Sequence, residues 1–167
     1  MAGSIVVRAM RPEDLDAIVD VQAQCYPPAM NEPASLLAAR LQACPETAWV
    51  AVDPGTDLPG AYLVGYRILL GKVSPLGGPF AHHPQADGLY LHDLAIGQAL
   101  RRRGVAQALV AHARARALAW HLAGLALVSV NDTVAFWRGQ GFEPADVTPQ
   151  GQATLDSYPG RAVYMRA

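Results

Sequence analysis

The stretch GLYLHDLAIGQALRRRGVAQ, residues Gly88 to Gln107, decides how the rest of the chain is read. Its first half alternates as a strand does: Leu89, Leu91 and Asp93 fall on one side of a regular strand, and Tyr90, His92 and Leu94 on the other. Its second half opens a helix. Between the two lies Arg101-Arg102-Arg103-Gly104-Val105-Ala106, a turn whose backbone N–H groups are left free to face an anion. Gly104 and Ala106 are small where a phosphate has to approach the main chain closely. The pattern suits a long, phosphorylated ligand.

Upstream, Gly71 to Asp87 holds three Pro and three Gly, too irregular for an element of its own, and leads straight into this strand as a loop that could border a substrate entrance. Before it, Thr47 to Asp53 and Gly60 to Leu70 read as strands joined by Pro54-Gly55-Thr56-Asp57, the composition of an antiparallel hairpin turn. Ser4 to Arg8 is a short β-branched run. Arg11-Pro12-Glu13-Asp14 then starts a helix that Pro27 and Pro28 stop by Tyr26, and a second helix runs from Pro33 to Cys44 with one apolar stripe.

Downstream, Val105, Leu109, Val110, Ala113, Ala117 and Trp120 keep helical spacing. Leu125 to Val130 is apolar but for Ser129 and reads as a central strand. Asn131-Asp132 is expected to cap a short helix through Arg138, with Phe142 to Val147 and Ala162 to Arg166 as closing strands. The order β-α-α-β-β-β-α-β-α-β-β describes an α/β (α+β) fold: a mixed sheet of about seven strands flanked by about four helices, with the parallel crossover across residues 88 to 130.

The bulk numbers set limits on this reading. A chain of 167 residues, 51% hydrophobic, has the size of one domain with its own core. Twelve of the thirteen basic residues are Arg, but only Arg101 to Arg103 are consecutive and the formal charge is -1, which argues against a nucleic-acid footprint. No apolar run reaches the roughly 18 to 20 residues of a membrane span. The opening residues do not read as a signal peptide, so a cytoplasmic protein with reduced Cys25 and Cys44 is expected, as a monomer or homodimer. His82 and His83 are adjacent in a loop without further ligands beside them, so no metal is expected.

Together the element order, Arg101 to Ala106 (Gln or Arg, two residues, Gly, one residue, Gly or Ala), the upstream LHDLAI and the closing Asn131 to Phe142 resemble the GNAT superfamily of acetyl-CoA-dependent N-acetyltransferases. Within it, Cys44-Pro45-Glu46 at the end of the second helix, the Gly71 to Asp87 loop ahead of the strand, and His92 look closest to the arylalkylamine branch. The resemblance implies acetyl-CoA as co-substrate in a cleft between splayed strands. It carries Arg102, Arg103, Gly104, Val105, Ala106 and Gln107 over as the pyrophosphate loop, and Leu94, Ala95 and Ile96 as the strand edge whose main chain bonds the pantetheine arm. Asn131, Phe136 and Trp137 belong to the closing segment, with Trp137 walling the thioester channel. Tyr26, Pro27 and Pro28 fall where the family commonly forms its acceptor site, which suits a hydrophobic small amine.

An alkylamine is protonated at pH 7, so something has to accept a proton before attack on the thioester. His92 matches the catalytic His of that branch in position, and Tyr90 stands where the branch places a second His. Asp93, on the other side of a regular strand, is expected to fix a backbone group or an Arg. Trp137 stands where many members carry a Tyr thought to protonate the leaving thiolate, and an indole cannot take that role. Ser129, Tyr158 or solvent are the substitutes. The competing readings are acetylation of a peptide amino terminus and a non-catalytic acyl-CoA-binding domain.

Overall fold

The computed structural model describes residues 4–167. Seven strands form one mixed sheet in the order β1-β2-β3-β4-β5-β7-β6. The strands are β1 (Val6–Ala9), β2 (Ala48–Val52), β3 (Pro59–Ile68), β4 (Gly88–Ile96), β5 (Gly124–Ser129), β6 (Glu143–Pro144) and β7 (Val163–Arg166); the helices are α1 (Leu15–Cys25), α2 (Ala34–Ala43), α3 (Val105–Ala119), α4 (Val134–Gly139) and α5 (Pro149–Asp156). The predicted order is therefore met, with α5 added. That helix is only eight residues long. Its start is marked by Thr148, whose side chain accepts from the Gly151 N–H, and by Pro149 in the first turn.

The chain divides into two compact units, residues 4–65 with Asp93–Ala113, and Tyr66–His92 with Arg114–Ala167. In the first, β2 lies between antiparallel β1 and β3, and all five of its residues are buried. The reason is that both its faces are covered. Val50 and Val52 join Ile18 and Val21 of α1 and Leu37 and Leu41 of α2 in one cluster, while Trp49 meets the His112 ring of α3 edge-on at 5.5 Å. The predicted hairpin turn forms as its residues require: Asp53 Oδ1 accepts from the Gly55 N–H at 3.0 Å, and Asp57 takes a left-handed φ of 51°. Before α1, Pro12–Asp14 makes a 3-10 turn that Asp14 closes, its Oδ2 accepting from the Arg11 N–H at 2.8 Å.

In the second unit the parallel ladder runs from Gly88↔Gly124 to Leu91↔Leu127, and β5 then pairs antiparallel with β7. Leu89, Tyr90, Leu125, Leu127, Phe142, Tyr164 and Met165 are its buried core. Two local expectations are corrected here. The closing strand foreseen over 142–147 shrinks to Glu143–Pro144: Pro144 itself has no N–H to donate, and past it the Ala145 N–H still reaches the Tyr164 carbonyl of β7 at 3.0 Å. The short helix starts later than Asn131-Asp132. Both of those residues are left-handed (φ 55° and 57°), and Thr133 is the residue that precedes the first turn.

Candidate functional site

The anion turn builds up as its residues dictate. Gln98–Leu100 makes a 3-10 turn, Arg101 returns to an extended conformation, and Arg102 and Gly104 are both left-handed (φ 63° and 71°) before α3 begins. A left-handed arginine is strained where a left-handed glycine is not. The Gly104 carbonyl accepts the Ala108 N–H at 3.1 Å, so Gly104 is the residue half inside the helix. Helix geometry then leaves the N–H groups of Val105, Ala106 and Gln107 without intrahelical acceptors, at the positive end of a 15-residue helix. Gly104 has no side chain to cap them.

The arginines separate in role. Arg101 and Arg102 are exposed. Arg103 Nη1 instead donates to Asp53 Oδ2 at 3.1 Å, which ties the turn to the β2–β3 hairpin. The Gly55 N–H and Arg103 together hold the Asp53 carboxyl below its ordinary range. Val105 is buried at 2% exposure, so it can offer a ligand only its backbone.

Along β4, Ala95 packs into the α1–α2 cluster while Leu94 and Ile96 are half-buried. The Ile96 carbonyl already accepts from Cys25 Sγ at 3.3 Å and from Arg101 Nε at 3.4 Å. Gly97 closes the strand tightly, its N–H donating to the Gly60 carbonyl at 2.8 Å.

Asp93 does not fix a backbone group or an arginine, as alternation alone suggested. Its Oδ1 accepts from the Tyr26 hydroxyl at 2.5 Å and its Oδ2 from the Tyr62 hydroxyl at 2.6 Å. Burial raises the Asp93 carboxyl above its usual range despite both phenols, and burial together with the Asp93 charge drives both phenols upward. Tyr26 ends α1 in extended conformation, as the residue before a proline must. Pro27 and Pro28 follow it, exposed, with Pro28–Met30 in a 3-10 turn. The cluster joins residues 26, 62 and 93, and no sequence spacing announces it.

The remaining candidates lie in the second unit. His92 is half-buried, its ring edge-on to Phe80 at 4.9 Å and 6.2 Å from Tyr90. Tyr90 is buried at 1% exposure and hydrogen-bonds Tyr158, whose hydroxyl donates to the Ser74 carbonyl at 2.5 Å. The Tyr90 hydroxyl is thus part of a chain that ends on a main-chain oxygen, and burial raises it well above its usual range. Thr133 Oγ1 donates to the Val130 carbonyl at 2.7 Å, so the Ser129 hydroxyl 2.9 Å away is the donor to Thr133. The protons of Ser129 and Tyr158, the two named substitutes for a general acid, are therefore both committed to protein acceptors.

Trp137 is half-buried and packs edge-on against Phe136 at 4.9 Å and against the buried Phe142 at 5.4 Å, while Phe136 and Asn131 are exposed. His82 Nδ1 accepts from the Arg67 N–H and His83 Nδ1 from the Gln85 N–H, both at 3.0 Å. Each ring thus spends one nitrogen on the backbone. Among the described residues no helix is long and apolar enough to cross a membrane.

Likeness to solved structures extends over the whole fold. The chain is similar to Arabidopsis thaliana NAA60 in complex with acetyl-CoA (16% identity, 98% of this chain and 99% of that one, TM-score 0.73). It is also similar to the NatC complex bound to Gag peptide and CoA (19%, 98% and 96%, TM-score 0.67). A third likeness is to the GphF GNAT-like decarboxylase in complex with isobutyryl-CoA (18%, 96% and 97%, TM-score 0.71). Curated proteins returned no sequence match. The sequence model of the acetyltransferase (GNAT) family, however, matches residues 15–142, a span that contains α1, the Tyr26–Asp93–Tyr62 cluster and the anion turn. The chain belongs to the acetyltransferase (GNAT) family.

Proposed function

We propose that the chain moves an acetyl group from acetyl-CoA to a primary amine by direct attack within a ternary complex. The observation that carries this reading is the turn at Arg101–Gly104, which leaves three helix N–H groups beside two exposed arginines. That is a site for a diphosphate. The likeness to structures holding acetyl-CoA, CoA and isobutyryl-CoA supports the same ligand class. In this reading Arg102 to Gln107 take the diphosphate and Leu94 to Ile96 border the arm. Asn131, Phe136 and Trp137 complete the family's set, and His92, with Tyr90, receives the amine's proton.

Tyr26, Pro27 and Pro28 support a hydrophobic, arylalkyl-type small amine as the acceptor. A peptide amino terminus is the second reading, supported by the likeness to a complex bound to a peptide. Trp137 supports a third reading, a domain that binds acyl-CoA without turnover. A thiol has a pKa of about 8.5, so coenzyme A leaves as a thiolate without an obligatory proton donor.

Calorimetry with CoA, followed by thiol release from acetyl-CoA with 2-phenylethylamine or with a free-amino-terminus peptide, separates the three. Amine-dependent release with 2-phenylethylamine is expected. Binding without release under either acceptor supports the non-catalytic domain, and no CoA uptake at millimolar concentration removes the whole reading.

A further inference from the structure

We propose that Tyr26 and Asp93 form a proton route for the acceptor amine, Tyr26 touching the amine and Asp93 acting through it. The inference rests on the amine-acetylation reading and adds to it a route other than His92. Each Asp93 oxygen is held by one phenol, and the two phenols differ in access. Tyr62 is 1% exposed and closes the inner side. Tyr26 is half-buried beside the exposed Pro27 and Pro28, so it is the outer end. A hydroxyl that donates its proton to Asp93 keeps lone pairs for an N–H donor arriving from outside.

The other charges near the carboxylate pull in opposite directions. Arg40 of α2 favours the carboxylate through its charge, while its Nη1 also donates to Glu32 Oε1 at 2.6 Å. Cys25 at the end of α1 and Glu32 on the following segment are the other titratable neighbours, and Glu32 repels a second negative charge. Burial makes the carboxylate readier to take a proton and makes both phenols reluctant to lose theirs outright. A proton entering the cluster therefore ends on Asp93.

The transfer balances in one step. The ammonium N–H bond breaks as its proton bonds the Tyr26 oxygen, while the Tyr26 O–H bond breaks as that proton bonds Asp93 Oδ1. The products are a neutral amine with a free lone pair, an intact phenol and a carboxylic acid. Because Asp93 adjoins Leu94 to Ile96 on β4, the amine is freed beside the strand assigned to the acyl carrier.

The test uses acetyl-CoA with 2-phenylethylamine and follows kcat/KM against pH for the natural chain, Asp93→Asn, Asp93→Glu, Tyr26→Phe, Tyr62→Phe and His92→Ala. Loss of a general-base route lowers turnover by about 100-fold or more. Asp93→Asn and Tyr26→Phe are expected to show that loss and to lack the acidic limb, with partial rescue in Asp93→Glu. Tyr62→Phe should keep the limb but move it to higher pH, because one donor to the anion is gone. A limb that survives Asp93→Asn and disappears in His92→Ala overturns the route.

A second readout needs only the folded chain: carbon-13 NMR titration of the Asp93 carboxyl. A midpoint above the ordinary carboxylate range, moved further up in Tyr26→Phe, supports the cluster; an ordinary or lower midpoint overturns it. If the natural chain is inactive yet the midpoint is elevated, acetyl transfer to this amine is what fails.

Discussion

Gly97→Ala tests the close packing that ends β4 just ahead of the anion turn. The native backbone there (φ -68°, ψ 163°) is open to any residue, so the substitution carries no conformational penalty and acts through contact alone. A Cβ at this position would lie 2.8 Å from the Gly60 carbonyl oxygen and 3.0 Å from Gln24 Oε1. Neither neighbour can give way without loss, because the Gly60 oxygen accepts the Gly97 N–H at 2.8 Å and Gln24 Oε1 accepts the Gln98 N–H at 2.8 Å.

Overpacking costs about 1 to 3 kcal/mol and partly straining the two hydrogen bonds about 1 kcal/mol together, so the expected loss is about 2 to 4 kcal/mol. For a chain of this size that corresponds to a fall in Tm of roughly 4 to 16 °C. Urea and thermal unfolding of Gly97→Ala measure it, with Gly77→Ala as control, since a Cβ at Gly77 meets nothing within 4 Å. A Gly97→Ala chain within about 0.5 kcal/mol of the natural one, the ordinary scatter of neutral substitutions, would refute the contact argument.

Gly104→Ala meets no neighbour within 4 Å but inherits a φ of 71°, so it should lose about 1 to 2 kcal/mol of stability and weaken CoA binding in calorimetry; undiminished stability would contradict the left-handed turn. Asp14 accepts two bonds from Arg8 (2.7 and 2.9 Å) and one from the Arg11 N–H; burial alone would raise its carboxyl, but these donors outweigh burial and hold it below its usual range. Its contribution is therefore present above the unfolded carboxylate pKa and lost as pH falls through the lowered native value. Asp14→Asn should cost about 2 to 3 kcal/mol near pH 7 in urea unfolding, with the gap to the natural chain closing in acid below about pH 4; a gap unchanged by pH would refute it. Trp137→Tyr restores a phenol where the indole stands, and if a thiolate leaves unaided kcat should change by less than about threefold; a gain of tenfold, about 1.4 kcal/mol, would show that protonation limits turnover.

What could be read from the chain alone was local. Pro12, Pro27-Pro28, Pro33 and Pro45 bound the first two helices because a proline's missing N–H and fixed φ act at its own position. Asp53 to Asp57 formed its turn for the same kind of reason, and the Arg101 to Ala106 turn was recognisable because glycine at 104 and small residues after it need no distant partner. The alternation of β4 was local too, and there the limit began. Alternation assigns sides, not neighbours, and so it left Asp93 with no better expectation than a backbone group or an arginine.

Only the tertiary structure brought Tyr26 from the end of α1 and Tyr62 from the middle of β3 to the two oxygens of Asp93. It likewise committed the protons of Ser129 and Tyr158 to Thr133 and Ser74, and turned Arg103 toward Asp53. The physical reason is one of range: backbone preferences and caps act within a turn or two of chain, while a hydrogen bond across 31 or 67 positions exists only after the sheet has paired its strands and the helices have packed on it.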